Sequence, residues 1–207
     1  NYMNYQITYE MEEYDPELDQ MLFYLPIVGS AFKKVYFDPN MQRAVSKFVH
    51  SEDLIVPYNA TDLATATRIT HCIRMDKNEI RKLQLSGFYK DIDLPESGSD
   101  SDTISDVKDT INDIEGITNG SSENEEMMIY EVHTNLDIEG FEDVGADGEP
   151  TGLKMPYIVT IMEDSGDVLS IKRNFNESDP LRRKVPYFVH YKFLPGLGFY
   201  GFGLTHT

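Results

Sequence analysis

The stretch RITHCIRM, Arg68–Met75, alternates without a break: Ile69, His71, Ile73 and Met75 on one face, Arg68, Thr70, Cys72 and Arg74 on the other. A period of two belongs to a strand with one face on a core and the other toward solvent, and no helix accommodates it. A single strand has no independent stability, so the rest of the chain must supply partners. Candidates are plentiful. AFKKVYFD and AVSKFVH flank the turn DPNMQ and read as a hairpin, and EDLIVP adds a short strand closed by Pro57. MMIYEVHTNLDI is expected to present Met128, Tyr130, Val132, Leu136 and Ile138 on a common face. PYIVTIME and VLSIKRN around a DSGD turn form a second hairpin, and PYFVHYKF is the last strand.

Helices are fewer. In YMNYQITYEMEEY, residues Met3, Ile7, Met11 and Tyr14 fall on one helical stripe. Asp15-Pro16 reads as an N-cap followed by proline at the first helical position, and Leu18, Met21, Leu22 and Leu25 form the apolar face up to Pro26, which ends or kinks the helix. Asp76 with Glu79 opens a third helix in the manner of a capping box, and Gly87 stops it. Ile80, Leu83 and Gln84 share its inner side. The expected class is α+β: two or three helices on a mostly antiparallel sheet.

Charge divides the chain. The net charge is −18, yet between Asp91 and Glu149 there are 19 acids and one base, Lys108, while the remainder carries 17 of each sign. The Ser/Gly/Asp-rich part of this segment, residues 95–126, reads as an acidic, partly disordered insertion. Ile104, Val107, Ile111 and Ile114 within it have the spacing of a short amphipathic helix. Acidity of this kind disfavours phosphate binding, since nucleic-acid affinity rests on cations that displace counterions. One cysteine, Cys72, excludes internal disulfides and points to a reducing compartment. No apolar run reaches the roughly 18–20 residues of a membrane helix, and residue 1 is Asn, so the chain reads as a segment of a longer one.

Catalytic patterns are missing at the level of spacing. GLGFYGFG contains G-x-G, but no helix opens after it and no βαβ unit surrounds it, so it reads as a glycine-aromatic turn. His50, His71, His133, His190 and His206 include no HxH or HExxH pair. His71, among Ile69, Ile73 and Met75, reads as a core histidine, and His133 and His190 as solvated sheet positions. Cys72 lies mid-strand without the sharp turn that activates a nucleophile. DVGADGEPTG resembles a calcium loop only in passing, lacking the D-x-D-x-D-G order and the terminal Glu. Arg182, Arg183 and Lys184 read as an exposed basic loop. The expectation is accordingly no enzyme, with no catalytic, cofactor or metal residues.

Several segments then resemble one family in collinear order: YQITYEMEEYD, LPIVGSAFKKVYFDP, EDLIVPY, RITHCIRM with NEIRKLQLSGFYKDIDL, GEPTGLKMPYIVTIMEDSGDVLSIKRNF, and FVHYKFLPGLGFYGFGL. They resemble the portal, or head-to-tail connector, proteins of short-tailed enterobacterial phages, and only about Pro95–Glu126 lacks a match. The resemblance implies a virion structural protein, assembled in the host cytoplasm as a homo-oligomeric ring, commonly of twelve copies, at one capsid vertex. Double-stranded DNA would pass through the ring without specific binding during DNA packaging and viral genome ejection. Its partners would be its own copies, capsid and scaffold protein, the terminase and a tail adaptor, with no membrane and no cofactor. Residues 1–207 would form a single wing-like domain, the stem helices lying elsewhere. Phe193, Phe199, Tyr200 and Phe202 would be contact candidates or, alternatively, core. The closing turn, without the chain that follows it in a whole subunit, would lack packing partners. Two other readings stand beside this one: an acidic adaptor that binds a basic partner through Asp91–Glu149, and a hydrolase built on the acidic segment or His71.

Overall fold

The computed structural model describes residues 2–38, 41–94, 126–144 and 147–206. The insertion expected at 95–126, apart from Glu126, and the helix expected on Ile104–Ile114 lie outside the described residues.

The class is α+β. Helix α1 (Tyr2–Tyr5) runs into a π-wound turn (Gln6–Glu10), and helix α2 covers Tyr14–Val28. Strands β1 (Ser30–Asp38), β2 (Arg43–Val49), β3 (Leu54–Ile55) and β4 (Arg68–Asp76) precede helix α3 (Lys77–Leu85). Strands β5 (Glu126–Leu136), β6 (Met155–Met162), β7 (Val168–Arg173) and β8 (Phe188–Lys192) follow, then a short 3₁₀ turn (Leu204–His206). One sheet has the order β2-β1-β8 and the other β3-β4-β5-β6-β7. The sequence reading treats residues 1–207 as one domain; the described residues group into two compact units, each with its own core.

The first unit comprises Asn1–Cys72, Val132–Ile158 and Lys172–Thr207. Its centre is β1, which pairs antiparallel with β2 on one side and β8 on the other, so that Phe32 faces Val49 and His190 in register. Phe32, Leu54, Ile69, Phe188 and Phe199 make up most of its core. Each buried aromatic or aliphatic side chain of this size contributes about 1.5–3 kcal/mol relative to an exposed one. Helix α2 lies against this hairpin, held by carboxylates of its own first turn and N-cap. Phe48 N–H donates to the Glu17 carboxylate at 2.6 Å, and Arg43 pairs with Glu13 at 2.8 Å. Burial alone would push the Glu13 carboxyl up, but the Arg43 guanidinium and the Ser46 N–H together hold it below its ordinary range.

That use of Glu13 changes the expected start of the helix. It begins at Tyr14 with Glu13 as N-cap, not at Pro16 with Asp15 as N-cap, and Asp15 instead occupies the first turn near the positive dipole end. Pro26 does not end it either. Placed in the final turn, the proline forfeits a single bond to the carbonyl four residues back, and the helix runs on to Val28. Gly29 then closes it at φ +92°, donating to Leu25 O at 2.8 Å.

The second unit comprises Ile73–Glu131 and Val159–Ile171. Here α3 lays Ile80 and Leu83 on Met127, Ile129, Met162 and Leu169, as its spacing predicts. Asp76 is the N-cap but makes no side-chain cap bond, so the capping box is not formed. Gln84, 6% exposed, donates to Lys90 O and Ile92 O and closes the following loop on the helix. The DSGD turn is present, with Gly166 at φ +70° and Met162 N–H on Asp167 O. Met128, Tyr130 and Val132 share a face of β5, but it is the less buried of the two. Met127, Ile129 and His133 are buried, while Met128, Tyr130 and Val132 are only partly so. Apolar residues occupy both faces of this strand up to Val132, so alternation alone could not choose between them.

Candidate interaction surface

Helix α2 ends at a glycine that meets two more glycines from the far end of the chain. A Cβ on Gly29 would come within 2.3 Å of Gly203 N, one on Gly201 within 2.6 Å of Gly29 O, and one on Gly203 within 2.3 Å of Ile27 O. Two backbones therefore cross at a separation only glycine permits. Gly201 N–H donates to the buried Ser30 Oγ at 2.8 Å. Leu194 and Phe202 exchange a pair of backbone bonds at 3.1 and 2.9 Å. Phe199, 6% exposed, lies near-parallel to Phe32 and His190 with centroids 6.0 and 4.7 Å away. The glycine-aromatic end is thus a clasp that completes the core, which corrects the expectation that it lacks packing partners. The physical reason is that its partners, Ile27–Ser30 and Phe32, belong to the N-terminal part of the same chain.

His190 sits inside this clasp, not on a solvated face. Burial, helped by the neighbouring Lys192 charge, pushes its pKa down to about 4, so it is neutral at pH 7. It shares a 3.2 Å hydrogen bond with Ser30 Oγ. A serine and a neutral imidazole at this distance have the spacing of a nucleophile and its base. Ser30, however, is 1% exposed beneath packed rings and also accepts Gly201 N–H, so its hydroxyl ties strand to turn. His133 is also buried, with its ring edge-on to Tyr187 and Phe188. His71 packs edge-on against Phe188, and His50 against Tyr24 and Phe48. Cys72 is partly buried mid-strand. No group of three His, Cys, Asp or Glu side chains could hold a metal among the described residues.

The basic run is occupied by partners from its own loop and from distant parts of the chain. Arg183 pairs with Asp179 at 2.8 Å, and Arg182 with Asp143 at 3.8 Å. Lys184 Nζ, partly buried, donates to Leu63 O and Ala66 O at 2.9 and 3.0 Å, and burial pushes its pKa down. Asp143, from the stretch likened to a calcium loop, also accepts Thr151 Oγ1 at 3.0 Å.

Two surfaces remain. The first is apolar and exposed: Leu22, Phe23 and Ile27 on α2, with Leu204 on the 3₁₀ turn that Thr205 ties to Ile27 O. Of the four aromatic contact candidates Phe199 is core, whereas Phe193, Tyr200 and Phe202 stay about 40% exposed. The second is a cleft of about 840 Å³ within the first unit. Its floor is formed by Ile69, Met155, Phe188 and His133, and its rim carries Lys154, Arg182 and Arg183. Asn174, 3% exposed on this floor, has an Oδ1 without a hydrogen-bond partner among the described residues. Neither the cleft nor the glycine crossing was legible in the sequence. The crossing joins positions some 170 residues apart, and Gly29 alone signals merely a helix stop. No helix of the described residues is long and apolar enough to cross a membrane. No protein-family model matches the sequence, and no curated protein matches it.

Proposed function

We propose that this chain is a wing-type segment of a phage portal subunit, a structural protein that assembles with copies of itself into a ring for DNA passage. The observation that carries the reading is the collinear resemblance of six segments, ending in FVHYKFLPGLGFYGFGL. The exposed apolar surface supports it. Phe23 at 77%, Leu204 at 61% and Leu22 at 53% exposure, with Ile27, are large apolar side chains in solvent, the residue type from which contact surfaces are built. The use of histidines and basic residues as internal ties, instead of as an open polar site, agrees with a building block. A net charge of −18 suits a channel component past which DNA slides.

The test is electron microscopy of the full-length protein that contains this chain. Closed rings are expected, and they should weaken when Phe23 and Leu204 are both changed to Ser. Only monomers across all salt and protein concentrations would sink the reading.

A further inference from the structure

Strand β2 lies on the outside of its sheet, and among the described residues β1 is its one strand neighbour. The backbone bonds fix which of its groups face outward. Val35 N–H donates to Tyr187 O and Phe193 N–H to Gly29 O, so the odd-numbered residues of β1 bond toward β8. The even-numbered ones, Phe32, Lys34 and Tyr36, bond toward Val49, Lys47 and Val45. Ala44, Ser46 and Phe48 therefore turn their N–H and C=O groups away from β1. An open row of this kind is a template for any further strand.

The row is closed group by group. Ser46 N–H donates to Glu13 Oε1 at 3.4 Å, and Phe48 N–H donates to Glu17 Oε2 at 2.6 Å. The Arg43 guanidinium donates to Ala44 O at 3.3 Å while it pairs with Glu13 at 2.8 Å. The spacing explains why one helix can do this. Four residues of helix rise about 6 Å and two residues of strand about 6.7 Å, so carboxylates at i and i+4 repeat with the outward N–H groups. The partners that hold the edge are all charged, and bonds to ionised groups are roughly twice as strong as neutral ones.

We infer that α2 is a charge-latched guard on the β2 edge, closed while Glu13 and Glu17 are ionised and open, once they are neutralised, to β2 of a second copy. The edge is self-complementary. A two-fold pairing centred on Ser46 sets Ser46 opposite Ser46, Ala44 opposite Phe48, Val45 opposite Lys47 and Arg43 opposite Val49, with no like charges directly opposed. Glu13 faces Arg43, near which Glu12 and Asp38 also lie. Glu17 and Asp15 face Lys33 of β1, whose Nζ sits 4.2 Å over the Tyr14 ring. His50 packs on Phe48 and Tyr24 at the other end of the strand. Burial works against the Glu13 charge, but Arg43 and the Ser46 N–H hold its pKa below the ordinary value. The latch is thus complete at neutral pH and is lost as acid takes the carboxyl through its lowered pKa. This guard stands whether or not the chain is a ring subunit.

Glu13→Gln with Glu17→Gln in the 207-residue chain reproduces the neutralised latch at pH 7. Amide exchange followed by NMR in dilute solution should quicken at least about tenfold at Ser46 and Phe48, while Val45 and Lys47, bonded to β1, stay slow. Light scattering should find a dimer with Kd below about 1 mM, in which Ser46 and Phe48 are slow again. Ser46→Pro added to the Gln pair removes an outward N–H and no bond to β1, so it should abolish that dimer. The unsubstituted chain should keep Ser46 and Phe48 slow at every concentration at pH 7, and should dimerise through β2 in acid. Unchanged exchange at Ser46 and Phe48 in the Gln pair would show that the carboxylates guard nothing. No dimer up to about 1 mM, or a dimer that survives Ser46→Pro, would overturn the edge as the contact. An unsubstituted chain that stays folded and monomeric in acid would overturn the charge latch. Should the Gln pair lose protection at Val45 and Lys47 as well, Glu17→Gln alone is read at Phe48 by the same criteria.

Discussion

Replacing Gly203 by alanine tests the clasp that closes the first unit. The added Cβ would lie 2.3 Å from Ile27 O, 2.8 Å from Ile27 C and 2.7 Å from Gly29 N, where ordinary contact begins near 3.4 Å. All three neighbours are backbone, and Gly29 is held by its bond to Leu25 O, so no flexible side chain can give way. Relief requires the C-terminal turn to withdraw by about 1 Å. That displacement breaks the Thr205 bond to Ile27 O, the Gly201 bond to Ser30 and at least one of the Leu194–Phe202 pair. Three bonds at about 1 kcal/mol each give a loss of about 3 kcal/mol, at the upper end of what overpacking commonly costs. Gly198 is the internal control, because a Cβ there meets nothing within 4 Å and its φ is not positive. Urea unfolding followed by tyrosine fluorescence, the chain having thirteen Tyr and no Trp, reads the difference. At a slope of about 2 kcal/mol/M the Gly203→Ala midpoint should fall by about 1.5 M below that of Gly198→Ala. Midpoints within about 0.3 M of each other would show that the two backbones do not cross as described.

Other perturbations follow from the same geometry. Phe199→Ala empties a core position packed on Phe32 and His190 and should cost about 3–5 kcal/mol in the same assay. His190 has a folded pKa near 4, below its unfolded value of 6.5, so the folded state binds fewer protons between these limits. Its contribution is complete above pH 6.5 and is lost as pH falls toward 4, about 2 kcal/mol in all once solvent screening of the half-buried ring is allowed for. A His190→Gln variant should flatten the stability profile across that window, and an unchanged slope would refute the assignment. Gln84→Ala strands the carbonyls of Lys90 and Ile92 and should cost the second unit about 2 kcal/mol. Faster amide exchange at Lys90, whose N–H bonds to Leu169 O, would report it without disturbing exchange in β1.

Local patterns were enough for the element list. The unbroken alternation of Arg68–Met75, the DSGD turn and the helical spacing of Ile80, Leu83 and Gln84 each depend on neighbours within a few residues. Those elements therefore formed where the sequence placed them, and the α+β class followed. The errors arose where a local rule competed with a distant partner. Glu13 stands at the N-cap of α2 without a side-chain cap bond, its carboxylate being held by Arg43 of β2. For β5, apolar residues on both faces left the choice to whatever packed there, and α3 took Met127 and Ile129.

What the sequence by itself determined is a set of strands and short helices with an acid-rich middle and a glycine-aromatic end. The tertiary structure alone decided that this end is a clasp. It also joined the partly buried His190 to the buried Ser30 hydroxyl, and it shaped an apolar cleft in the first unit. The reason is range. Periodicity, capping and turn chemistry act over one or two turns of chain, whereas backbone crossing, burial of a titratable ring and the shape of a cleft arise from residues more than a hundred positions apart.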